Sequence, residues 1–241
     1  MLTRSVLDIA KIIDDIINET ICESEIEART YFKRIETIGP ILHTEHSFTM
    51  RYSCQYLIDD ITFELVIELK CTMNKDSLKV EIYSNYEYAY VREFALKKWY
   101  EITVKKESLN SIKTIISKEV RKIINEFMYY IDSMKIGLKY VEKRVVEKLK
   151  GIIKDMFGTY PSSIEIDSPH FHRYIVFVDF EGFEGTVNIR TSDNSRFAVK
   201  FRYSIDEDIL TINEIIIEKY KPEILGSLLL SDIVKDLFDS S

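Results

Sequence analysis

The sequence predicts an α+β protein built as a tandem duplication of one unit, a helix, a four-stranded antiparallel sheet and a closing helix. Three observations predict it. An amphipathic helical period marks Val6, Ile9, Ala10, Ile13, Ile16 and Ile17 and recurs at Val145, Val146, Leu149, Ile152, Ile153 and Met156. Each of these stretches is followed by segments whose apolar residues alternate with polar ones, the period of half-buried strands. Several positions also agree at a spacing of 120 residues: Asp59 with Asp179, Phe63 with Phe183, Glu64 with Glu184, Leu69 with Ile189 and Lys70 with Arg190.

Taken in order, the first copy opens with the Val6 to Ile17 helix. Phe48, Met50, Tyr52, Cys54 and Tyr56 then predict a strand, turned at Ile58-Asp59-Asp60. Phe63, Leu65, Ile67 and Leu69 make the second, a turn falls at Asn74-Lys75-Asp76, and Leu78, Val80 and Ile82 make the third. Tyr100, Ile102 and Val104 form the fourth, and a helix containing Ser117 to Arg121 closes the copy. The second copy predicts strands at Tyr174 to Asp179, Phe183 to Arg190, Phe197 to Tyr203 and Ile209 to Ile217, with Val80 matched to Val199 and Ile82 to Phe201. Its closing helix holds Ser231 to Lys235, with Pro222 where a first turn accepts proline. The copies span residues 1–135 and 136–241, divided near Ser133 to Lys139, where Gly137 interrupts an otherwise helical run. The first copy carries an extra helical segment, 19–45, with a second helix from Ile26 to Ile35 ended by Gly39-Pro40, and a longer connection from Asn85 to Lys98.

Composition narrows the function classes. With 46% apolar and 30% charged residues the chain reads as globular, and charges recurring along the first helix exclude a membrane span or a secretory core. Three cysteines, Cys22, Cys54 and Cys71, match no zinc or redox spacing and point to a reducing, intracellular compartment, or a virion if the protein is viral. Gln55 is the sole glutamine, and the richness in Ile, Lys, Glu and Tyr leans toward a heat-adapted source such as an archaeon. Seven glycines form no phosphate loop, dinucleotide fingerprint or nucleophile elbow, so no cofactor and no catalytic residue is expected.

Four features are candidates for function. His170 and His172, two apart, are metal-ligand candidates that point the same way if they lie on a strand, the other reading being a loop after Pro169 before the strand begins; Asp167 and Asp179 are nearby in sequence, and the His43 and His46 pair is weaker. The hairpin from Asp179 to Gly185 offers carboxylates but reads as a solvated turn. Residues 92–150 hold 15 Lys and Arg against 8 Asp and Glu in a chain of net charge −7, and Arg121, Lys122, Lys139, Lys143, Arg144 and Lys148 are anion-binding candidates on helices joining the copies. Tyr86, Tyr88, Tyr90 and Trp99, near the first copy's longer connection, are partner-binding candidates, because tyrosine supplies contact area at small entropic cost.

Duplicated halves of helix, sheet and helix resemble, in architecture, the TATA-binding-protein-like saddle. The resemblance implies a paired sheet but does not carry DNA binding, since the strands here bear Glu64, Glu68, Glu81 and Glu184 and no motif of that family is matched. The expected function is a non-catalytic binding or assembly protein acting by protein–protein contacts, with a protein partner or self-association. A nucleic-acid-associated regulator using 92–150 is the alternative, and a metal-dependent hydrolase at His170 and His172 the second.

Overall fold

The computed structural model describes residues 6–28, 32–74, 77–88, 98–105, 109–157, 164–177, 180–191 and 196–219. The expected closing helix at Ser231 to Lys235 lies outside these, as do Asp179 and Tyr90. Helices and antiparallel sheets are both present, as the alternating periods required. The chain divides into two compact units, one of residues 1–58 and 62–134, the other of residues 59–61 and 135–241.

The first unit holds α1 (Val6–Ala28), the strands β1 (Arg34–Thr44), β2 (Ser47–Ile58), β3 (Ile61–Met73), β4 (Ser77–Tyr88) and β5 (Lys98–Lys105), and the first part of α2 (Leu109–Phe157). Its five strands follow chain order across the sheet. Alternation decides the buried face: Phe48, Met50, Tyr52 and Cys54 on β2 and Phe63, Leu65, Ile67, Leu69 and Cys71 on β3 are all essentially without solvent contact. Against this face lie the helices. Ile9, Ile13, Ile16, Ile17 and Ile21 line one stripe of α1, and Ile112, Ile116, Val120, Ile123, Ile124, Phe127 and Ile131 one stripe of α2. Each fully buried isoleucine contributes roughly 1.5–3 kcal/mol. Tyr86 and Phe127 rings meet at 5.4 Å, and the Tyr52 hydroxyl donates to Asp14 Oδ1 at 2.9 Å. Burial, then that bond, pushes the Tyr52 phenol far above its usual range.

The two helices run side by side in the same direction. Lys113 pairs with Glu19 at 2.6 Å, the Thr20 and Ser117 hydroxyl oxygens meet at 2.9 Å, and Arg121 pairs with Glu23, so both numberings rise together. The buried Thr20 hydroxyl also reaches the Ile16 carbonyl at 2.6 Å, which satisfies a polar group inside an apolar seam.

The extra segment departs from expectation. The helix expected over Ile26 to Ile35 does not form: α1 continues to Ala28, and from Arg34 the chain is an edge strand paired antiparallel with β2. Ile35, Thr37 and Ile38 are β-branched and find a ready ladder in β2, an option that local periodicity cannot reveal. Gly39-Pro40 ends no helix either. It occupies a bulge in β1 between Ile38 and Ile41, where Gly39 has φ +122° and an added Cβ would stand 2.8 Å from the Thr49 carbonyl oxygen.

The second unit takes the rest of α2 and the strands β6 (Ile164–Ile166), β7 (His170–Phe177), β8 (Phe180–Thr191), β9 (Arg196–Ser204) and β10 (Ile209–Lys219). The sheet order is β10-β9-β8, with β6 and β7 both pairing with β8. Phe171, Phe183, Phe197, Val199 and Phe201 are buried on one face, and Leu138, Val141, Val145, Leu149 and Ile153 form the buried stripe of α2. The helix runs through Gly137, where the expected interruption is absent: a glycine costs a helix position only about 1 kcal/mol, less than the burial of Ile131 and Leu138 on either side contributes.

The expected match between third strands does not survive the pairing register. Leu69 stands opposite Ile82 and Ile189 opposite Phe197, so placing Leu69 on Ile189 carries Ile82 onto Phe197 rather than Phe201. Alternating patterns tolerate such an even slip, because it keeps every side chain on its face.

Candidate functional site

The β2–β3 turn and β7 bring together three side chains of metal-ligand type, Asp60, His170 and His172, in the second unit. Asp59 turns the chain with φ +51°, a left-handed conformation that aspartate tolerates better than most residues. The next residue, Asp60, donates its backbone N–H to the Phe171 carbonyl at 3.2 Å, and Phe171 returns its own N–H to Asp59 Oδ2 at 3.3 Å. Phe171 is anchored in turn. It is buried between Phe183 at 5.4 Å and Phe201 at 6.0 Å, between ring centres.

On either side of this anchor stand the histidines. His170 and His172 are part of β7, not of a loop before it, and a register irregularity between Phe171 and Arg173 places His172 at a bulge. Their rings meet edge to face at 4.9 Å. His170 Nε2 lies 3.0 Å and His172 Nδ1 3.2 Å from the same Asp60 oxygen, Oδ2, and His172 Nε2 lies 2.8 Å from Thr186 Oγ1. Gly185, opposite Phe171, leaves room for this: a Cβ there would stand 2.5 Å from the His170 carbonyl oxygen. Hydrogen bonds from His170 and then His172 hold the Asp60 carboxyl below the ordinary carboxylate range.

Asp60 is the member of this cluster that the sequence pattern did not point to, 110 residues before His170. Of the carboxylates near the histidines in sequence, Asp167 pairs instead with Arg190 at 3.5 Å. His43 Nε2 contacts Thr49 Oγ1 at 2.6 Å, and the three-member group of close metal-ligating atoms among the described residues is Asp60 with His170 and His172. The one signal available beforehand was the turn itself, Ile58-Asp59-Asp60.

The aromatic candidates separate. Tyr86 does not offer its ring to a partner: it is buried, packed against Phe127 and stacked on Tyr130 at 6.1 Å. It pairs with Leu65 across the ladder, so the strand period turns it inward. Tyr88 and Trp99 are strand residues of β4 and β5.

The basic candidates on α2 fall in both units, and several are engaged by acidic side chains. Arg121 pairs with Glu23 beside a groove of about 1250 Å³ also lined by Lys113, Lys118, Lys122 and Tyr129. In the second unit, Arg144 and Lys148 converge on Asp208, Lys148 at 3.2 Å, and Lys143 lies 3.9 Å from Glu147. Tyr203 donates to Asp208 at 2.6 Å, and with Arg144 and Lys148 holds its carboxyl down at about 2. Lys139 is exposed. The turn carboxylates are also taken up: Glu184 accepts from Arg202 at 3.1 and 2.5 Å, and Glu181 from Tyr174.

No family model matches the chain, and neither the curated proteins nor the solved structures contain a match. The architectural resemblance to a duplicated saddle therefore rests on sequence pattern. Among the described residues, no helix is long and apolar enough to cross a membrane.

Proposed function

We propose that this chain is a non-catalytic binding or assembly protein acting through protein–protein contacts, and that its contact surface is β1, with a second copy of the chain as occupant. The observation that carries this reading is the exposure of Ile38, Ile41 and Leu42, each about half accessible, on a strand at the sheet edge. Ile35 and Leu42 lie opposite Cys54 and Phe48, on the face that the helices cover elsewhere, whereas Ile38 and Ile41 lie opposite Arg51 and Thr49 on the other face. Aliphatics exposed on both faces of an edge strand are what sheets ordinarily avoid, since such an edge invites a second strand.

A strand meeting its own copy antiparallel gives a closed two-fold interface, in which the apolar stretch from Ile38 to Leu42 faces itself and the charges of Arg34 and Glu36 move to the rim. The Gly39-Pro40 bulge interrupts the ladder at its centre, so side-chain contact carries more of the interface than backbone pairing. Tandem duplication is the evolutionary reading that accompanies this proposal; a helix leading into an antiparallel meander in each unit supports it. Nucleic-acid association is less well supported, because Arg121, Arg144 and Lys148 would have to leave Glu23 and Asp208 to meet phosphate.

Light scattering coupled to size exclusion, over a hundredfold range of concentration, tests the proposal. A mass of twice the chain that returns to one chain in Ile38→Lys and Leu42→Lys is expected. A wild-type monomer at every concentration, or a dimer indifferent to both substitutions, overturns it.

A further inference from the structure

We propose that Asp60, His170 and His172 form a binding site for one divalent transition-metal ion, zinc fitting best, with Thr186 orienting His172. Two imidazole nitrogens already converge on one carboxylate oxygen at 3.0 and 3.2 Å, and all three donor atoms lie within 4.8 Å of one another. In a tetrahedral complex with metal–donor bonds of about 2.0–2.1 Å, adjacent donors stand about 3.3 Å apart. Reaching that spacing asks the two histidine–carboxylate contacts to open by a few tenths of an ångström and the two imidazole nitrogens, which stand within 4.8 Å of each other, to close toward it, a rotation of three exposed side chains.

The donor set selects the class of metal. Two nitrogens and one oxygen suit zinc, cobalt, nickel or copper, whereas calcium and magnesium take oxygen ligands. Zinc accepts three protein ligands with the fourth position left to water. That position faces solvent here, because His170, His172 and Asp60 side chains are 51%, 43% and 60% exposed.

The surroundings favour one tautomer. When Nδ1 of His172 gives its lone pair to the metal, Nε2 keeps the proton and donates it to Thr186 Oγ1, 2.8 Å away. An outer partner of this kind fixes the ring and raises its basicity. The frame is rigid as well, since buried Phe171 sits between the ligands and its backbone exchanges hydrogen bonds with Asp59 and Asp60. Loss of any of these contacts would leave the three donors to wander on exposed side chains.

The alternative for the same geometry is an ion pair between protonated imidazoles and Asp60. Titration of the untagged, chelator-stripped full chain with zinc alone, by calorimetry and by thermal melting, separates the two. Binding of one zinc per chain at micromolar or tighter affinity is expected, with a melting rise of about 5 °C at a hundredfold excess over Kd. Cobalt in place of zinc should give the intense visible bands of a four-coordinate ion. Asp60→Asn and His172→Gln should each weaken zinc binding at least tenfold, and Thr186→Val by a smaller factor, while Asp208→Asn leaves it unchanged. Circular dichroism of each variant checks folding, and because all three ligands are exposed, folded variants are expected. Undetectable binding at 100 micromolar zinc, or binding that His170→Gln and His172→Gln leave intact, overturns the assignment.

Discussion

Two hairpin tips in the second unit's contact network each turn on a left-handed aspartate, and their carboxylates meet opposite fates. At the β9–β10 turn, Asp208 itself has φ +52° and is saturated by Arg144, Lys148 and the Tyr203 hydroxyl. At the β2–β3 turn, Asp59 has φ +51° and its neighbour Asp60 is met by two imidazoles. The partners differ in one respect that matters. Guanidinium and ammonium groups carry no lone pair for a metal, whereas a neutral imidazole does, so the first arrangement is a closed ion cluster and the second is open to coordination. The same local turn chemistry thus yields a structural device in one place and a candidate site in the other.

The comparison breaks most severely at Phe171, on which the Asp60 side depends. Phe171→Ala removes a buried ring and should cost about 3–5 kcal/mol in urea denaturation; a loss below about 1 kcal/mol would mean that the ring does not anchor the histidines. Next comes Gly185→Ala, whose Cβ would press on the His170 carbonyl and the Phe201 ring, with an expected cost of about 1–3 kcal/mol. Gly137→Ala, where nothing lies within 4 Å, should instead stabilise by about 0.5–1 kcal/mol. Equal effects at the two glycines would show that close backbone approach does not shape β7.

Acid distinguishes the two aspartates more gently. The folded Asp208 carboxyl sits at about 2, below its ordinary 3.8, so its contribution is present above pH 4 and is lost as pH falls through 2. Asp208→Asn should therefore lower the unfolding midpoint at pH 6 and converge on wild type near pH 2. An unchanged gap at both pH values would show that Asp208 acts by shape rather than charge. The smallest effect expected is on thiol chemistry. Burial pushes Cys54 and Cys71 up to about 12, while Cys22 is exposed. One thiol per folded chain should react promptly with a maleimide at pH 7.5, and three on unfolding; fast labelling of more than one would mean that the β2–β3 face is open.

Much of the sheet architecture was legible beforehand. The alternation of Phe48 to Cys54 and Phe63 to Leu69, and the stripe of Ile9 to Ile17, each report burial through period alone, since a strand or helix in water hides one face. β1 was not legible. Ile26 to Ile35 has apolar residues at helical spacing as well, and the decision for strand at Arg34 came from a waiting partner edge on β2. Tyr86 follows a related rule: a tyrosine-rich segment presents its rings only where the strand period turns them outward, and at Tyr86 it turns the ring inward.

By itself, the sequence determined the α+β class, the inner faces of the strands and the apolar stripes of the helices. Periodicity and residue chemistry act locally, and they leave a local record. Tertiary structure alone decided that Asp60 would join His170 and His172, that Asp208 would gather Arg144 and Lys148, and that Ile38, Ile41 and Leu42 would be left at an edge. Those outcomes depend on pairing register and on contacts between residues as much as 112 positions apart, which no neighbouring residue encodes.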